Sequence, residues 1–156
     1  MSKLNKNQLE NISETLKDFK SLIPRYVEVK NDENLLKKFC VRNRNPVWDL
    51  TSAKYFDTGL ISEGSKKQPK KNLVSDHYIQ RSRATKFIFD ELVANPDMVT
   101  EEFIKVIKKY CSIVKLTKEE HDMVTSFAKK NKEYLNYEIY VACGIKIVGL
   151  SDIMLS

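Results

Sequence analysis

Cysteine is scarce in this chain and poorly spaced for metal chemistry. Cys40, Cys111 and Cys143 are the three among 156 residues, and no Cys-x-x-Cys pair occurs. A cysteine zinc site is therefore not expected. The odd number and wide spacing fit reduced, buried small side chains better than a disulfide framework. Long hydrophobic runs are missing too. The longest apolar stretch, 139–150, is interrupted by Gly144 and Lys146 and is far shorter than the about 20 residues a membrane-spanning helix needs. The opening residues are polar and lack the apolar core of a signal peptide. A cytoplasmic location and no membrane partner are the expectation. No internal repeat is visible, and the one low-complexity stretch is a lysine-rich segment near the middle of the chain.

What is present is ordinary in bulk and uneven in distribution. Hydrophobic residues make up 42% and charged residues 31%, as in a soluble globular protein long enough for one domain with a core. The net charge of +6 permits nucleic-acid binding without demonstrating it. Its placement says more. Residues 65–86 carry seven basic side chains (Lys66, Lys67, Lys70, Lys71, Arg81, Arg83, Lys86) and a single acid, Asp76. That acid adjoins His77, and a carboxylate–histidine pair in a basic surround suits a phosphodiester.

Periodicity predicts a mostly helical α+β fold with a small two-stranded β element packed on a helix. Leu9, Ile12, Leu16 and Phe19 share one face of a helix over 5–22, with Pro24 as its stop. A second helix is expected over 31–39 with Asp32 as cap, then a turn at 43–46, then a further helix inside 48–60. Residues 61–72 have loop composition and read as a basic linker between a helical N-terminal region, 1–60, and a region holding the candidate site, 73–156. Residues 73–79 read as a strand, 85–94 as a helix with Ile88, Phe89 and Leu92 inward, a helix follows from Thr100, and 111–116 read as a second strand. Thr117-Lys118-Glu119-Glu120 then matches a capping box. His121 thus falls in the first turn of a helix that directly follows a strand, a rigid place for a ligand. A last helix within 134–141, closed by Gly144, and a strand within 145–150 complete the reading.

Phosphodiester hydrolysis needs a base for water, a cation against the charge building on phosphate, and stabilisation of the leaving oxygen. A neutral histidine serves the first need. A hard divalent cation held by a carboxylate and an imidazole serves the other two, and Mg²⁺ keeps several waters and asks for few protein ligands.

The pair Asp76-His77, a polar and basic segment, a second strand and then Leu116-Thr117-Lys118-Glu119-Glu120-His121 together resemble the HNH endonucleases of ββα-metal fold, in particular the phage and homing branch. The resemblance spans roughly residues 72–131. It implies a ββα-metal catalytic core within an HNH-like region, and metal-dependent cleavage of DNA by a one-metal mechanism. His77 would be the general base, Asp76 and His121 the ligands of Mg²⁺ or Mn²⁺, and Arg81, Arg83, Lys86, Lys70 and Lys71 the DNA contacts. Two departures stand out. The segment between the histidines is longer than in the compact motif and holds two expected helices, and the only Asn in it, Asn95, precedes Pro96 at a helix end rather than bracing a site. Glu120 is the better candidate if a third carboxylate joins. The first sixty residues would recognise DNA, pair subunits or complete the core. A homodimer would allow double-strand cleavage and a monomer nicking. The rival reading is a non-catalytic basic DNA-binding or regulatory module on an HNH-like scaffold. A third is a structural protein whose positive charge only favours solubility.

Overall fold

The structure, a computed structural model, describes residues 4–50, 60–77, 79–111, 113–134 and 138–149. Two long helices open the chain, α1 (Lys6–Val29) and α2 (Glu33–Leu50). Asn5 caps α1, its side chain accepting from the Gln8 amide while the Gln8 side chain accepts from the Asn5 amide. Asp32 accepts from the Leu35 amide at the start of α2, as its position suggested. Both helices run through a proline, against expectation. Pro24 does not stop α1, and the expected turn at 43–46 is helical, with Pro46 inside α2. An interior proline costs a helix about 3 kcal/mol through the lost amide donor and a clash. Beyond Pro24 lie Tyr26 and Val29, and beyond Pro46 lie Val47 and Leu50, all buried. Burying an apolar side chain stabilises by about 1.5–3 kcal/mol each, so two such residues on the correct face offset the proline. The helix expected within 48–60 falls largely on 51–59, outside the described residues.

Residues 61–72, read as a linker, hold strand β1 (Ile61–Ser62) and two 3-10 turns at Gly64–Lys67 and Lys70–Asn72. Then follow β2 (Leu73–His77), α3 (Arg81–Ala94), α4 (Thr100–Tyr110), β3 (Ile113–Thr117), α5 (Lys118–Lys130), α6 (Glu138–Ala142) and β4 (Ile147–Val148). The sheet is four-stranded and mixed, in the order β2-β3-β1-β4, rather than two-stranded. Of the two further strands, β4 falls within the strand expected at 145–150, whereas β1, two residues long, is too short to leave an alternating pattern in the sequence. The expected pair does form. β2 and β3 run antiparallel in a register that sets Leu73 opposite Thr117 and His77 opposite Ile113. The helices α3 and α4 are the excursion between these two strands. β3 passes without a break into α5, where Thr117 Oγ1 accepts from the Glu120 amide (3.1 Å) and Glu120 Oε1 from the Thr117 amide (2.9 Å).

One apolar core joins the N-terminal helices to the excursion. Phe89 of α3 sits with its ring centroid 4.8 Å from Phe19 and 5.3 Å from Tyr26 on α1, and 4.9 Å from Phe39 on α2. All four are buried. Of the three roles open to the N-terminal region, core completion is therefore visible directly. The core continues under the sheet through Val114 and Leu116 of β3 to Tyr140 of α6.

Candidate functional site

The antiparallel pairing and the direct β3–α5 junction bring the two histidine-bearing stretches together. Asp76 lies next to last on β2, and His121 one turn into α5. Asp76 Oδ1 stands 3.4 Å from His121 Nδ1, with side chains 16% and 33% exposed. His121 Nδ1 is buried, and the Asp76 carboxylate at 3.4 Å is a loose ion-pair neighbour rather than a formed hydrogen bond. The other carboxylate oxygen, Oδ2, accepts from the Tyr140 hydroxyl at 2.5 Å. Burial pushes the Asp76 carboxyl above the usual carboxylate range, with Tyr140 and His121 acting in the opposite sense.

His77, the last residue of β2, is half-buried beside this pair. Its ring packs on the Trp48 indole of α2, centroids 4.4 Å apart and planes at 37°. The Arg81 guanidinium lies 4.1 Å from the centroid of the same indole. Burial first, and the Arg81 charge second, lower His77 to about 4. The imidazole is thus neutral near pH 7 and can accept a proton. Its basicity in this surround is low. A phosphodiester alongside it would raise it, because a negative charge favours the imidazolium.

A cleft of about 540 Å³ opens on Asp76, His77 and Tyr140, and His121 is not among its lining residues. Asp76, His77 and Tyr140 line it from one side, Gln80 and Arg83 from the start of α3, and Thr125, Lys129 and Lys132 from α5 and the turn after it. The α5 contribution follows from helical spacing, His121, Thr125 and Lys129 recurring every four residues along one face. Arg83, Lys129 and Lys132 make no ion pair among the described residues, so three cations face a cleft with one carboxylate on its wall.

The other expected DNA contacts are placed differently. Arg81 is stacked on Trp48, and Lys86 is engaged with Asp90 at 2.9 Å on the exposed side of α3. Neither lines the cleft. Lys70 and Lys71 are exposed on the 3-10 turn leading into β2 and are also absent from the cleft lining. Glu120 is committed elsewhere, as Oε1 takes the Ser62 hydroxyl (2.5 Å) as well as the cap amide, tying α5 to β1. Asn95 bonds Glu102 at 2.9 Å and braces α4 instead of the site. Tyr140, Trp48, Lys129 and Lys132 escaped the sequence reading. Lys129 alone left a usable signal, its four-residue multiple from His121. Trp48 is 44% exposed and packs on the His77 ring. Among the described residues, no group of three or more His, Cys, Asp or Glu side chains is placed to hold a metal ion.

The chain was compared with protein-family models, curated proteins and solved structures, and none of the three comparisons gives a match. No helix among the described residues is long and apolar enough to cross a membrane.

Proposed function

We propose that the protein is a metal-dependent endonuclease that hydrolyses DNA phosphodiester bonds, with an HNH-like ββα-metal centre built from β2, β3 and α5. The observation that carries this reading is the approach of Asp76 Oδ1 to the buried His121 Nδ1, which forms no hydrogen bond among the described residues. A polar atom withdrawn from water without a partner is costly, so the arrangement is suited to receiving one. An oxygen and a nitrogen 3.4 Å apart fit adjacent positions around a small divalent cation, where bonds of about 2.1 Å set neighbouring ligands about 3 Å apart. Mg²⁺ or Mn²⁺ held by Asp76 and His121, with waters completing the shell, would neutralise charge on the phosphate and stabilise the leaving oxygen.

The chain's own groups supply the rest. Neutral His77 on the cleft wall orients and deprotonates the attacking water, its ring held in place by Trp48. Arg83 grips a phosphate oxygen through its fork of N–H donors. Lys129 and Lys132 supply positive charge further along the cleft, where neighbouring phosphates of the same strand would lie. The N-terminal helices act by fixing α3 and by delivering Trp48 to His77. That no third metal-type ligand joins the pair among the described residues favours, as a second reading, a non-catalytic basic DNA-binding or regulatory module on the same scaffold.

Incubation of supercoiled plasmid with the protein in Mg²⁺, Mn²⁺ or EDTA separates the two. The nuclease reading expects nicked or linear product with metal and none in EDTA. Salt-sensitive binding without product in any metal would favour the module.

A further inference from the structure

We propose that Tyr140 is a positioning residue for the Asp76 carboxylate, fixing which of its two oxygens is offered to a cation; this rests on the metal-site reading above. Tyr140 comes from α6, outside the strand β2 that supplies Asp76 and His77 and the helix α5 that supplies His121. Its side chain is 2% exposed, and its hydroxyl donates to Asp76 Oδ2. Oδ1 is then the oxygen that faces His121 Nδ1. A carboxylate on a two-torsion side chain can turn so as to exchange its oxygens or to offer both. With Oδ2 engaged by a buried phenol, that turn would break a hydrogen bond away from water, which is unfavourable. The carboxylate is thereby held as a one-oxygen donor, and the hydroxyl also stabilises the ionised form that a cation requires. Hydrogen-bond partners of metal-binding side chains act in this way, and removing one typically lowers metal affinity about 10–100-fold.

The packing of α6 explains why this group is a tyrosine on a short helix. The Tyr140 ring belongs to the core, and the Ile145 amide bonds the Tyr140 carbonyl at 2.8 Å where the chain turns back toward β4. A phenylalanine would fill the same space. The hydroxyl is therefore the part of the side chain that the core does not need.

The test is Mn²⁺ binding by isothermal calorimetry to the full chain, comparing wild type, Tyr140→Phe and Ile145→Ala, with circular dichroism to follow folding. Tyr140→Phe keeps the ring and is expected to fold. It should bind Mn²⁺ about 10–100-fold more weakly than wild type. Ile145→Ala loosens the packing of α6 without touching Asp76 and should keep wild-type affinity while melting at lower temperature. Equal affinity in wild type and Tyr140→Phe overturns the positioning role and leaves the metal site standing. A loss in Ile145→Ala as large as in Tyr140→Phe also overturns it, since the role would then be packing. A wild type that binds no Mn²⁺ overturns both the inference and the metal-site reading.

Discussion

Replacing Trp48 by alanine should release His77 from its low basicity. In the folded protein His77 sits at about 4 against an ordinary value of 6.5, through burial first and the Arg81 charge second. Trp48 contributes to both causes. Its indole covers the imidazole at 4.4 Å, and the same indole holds the Arg81 guanidinium at 4.1 Å. Without it the ring gains water on one face, and Arg81 is free to swing into solvent, where its charge is screened. Both changes act in one direction. Of the span between about 4 and 6.5, Trp48→Ala should recover at least one pH unit. The sign for stability follows from linkage. A histidine with a lowered folded value is protonated first in the unfolded chain, so its contribution is complete above 6.5 and is lost as pH falls from 6.5 toward 4. Trp48→Ala should narrow that window. With two histidines in the chain, proton NMR of the imidazole Cε1–H signals gives the titration directly, and a His121→Gln variant assigns them. A wild-type His77 titrating near 6.5, or one that stays near 4 in Trp48→Ala, would refute the reasoning.

Other changes should be as legible. Phe89→Ala removes a ring packed on three aromatic partners and should cost about 3–5 kcal/mol in chemical denaturation, with the N-terminal helices and α3 lost in one transition. Two separate transitions would show that the N-terminal region does not share this core. Lys129→Gln/Lys132→Gln should lower the dependence of log affinity for DNA on log salt by about two, whereas Lys6→Gln/Lys17→Gln, an equal charge loss on α1, should lower it less. Glu120→Ala removes the half of the α5 capping box that accepts from the Thr117 amide, and the tie to Ser62, and should lower stability by about 1–2 kcal/mol in thermal or denaturant melts. An unchanged midpoint would mean that the cap is satisfied by water.

The parts of the molecule that the sequence made legible are those where local chemistry and packing agree. Thr117 and Glu120 form the expected box, Asp32 caps α2, and Ile88, Phe89 and Leu92 turn inward together, because cap spacing and apolar period are properties of a few neighbouring residues. The strands β2 and β3 were legible for the same reason, whereas their pairing across α3 and α4, and with it the meeting of Asp76 and His121, was an expectation from the resemblance and not from local spacing. What escaped depends on distant partners. Tyr26, packed on Phe39 of α2 and Phe89 of α3, and the buried Val29 keep α1 helical past Pro24 through contacts distant in sequence. β1 is too short to signal itself and exists by pairing with β3 and β4. Tyr140 is 64 residues from Asp76, and Trp48 reaches His77 from another helix, so neither could announce its role by spacing. The basic residues divide likewise. Arg83 faces the cleft, while its near neighbours Arg81 and Lys86 are drawn to an indole and to Asp90.

The most direct test of the proposed chemistry is a nicking assay on supercoiled plasmid with wild type, His77→Ala and His121→Ala side by side, with and without Mg²⁺ or Mn²⁺. The account predicts metal-dependent conversion by the wild type and loss of product in both variants. Mn²⁺ binding should be retained in His77→Ala and weakened in His121→Ala. Full cleavage by either folded variant, or cleavage that persists in EDTA, would contradict it.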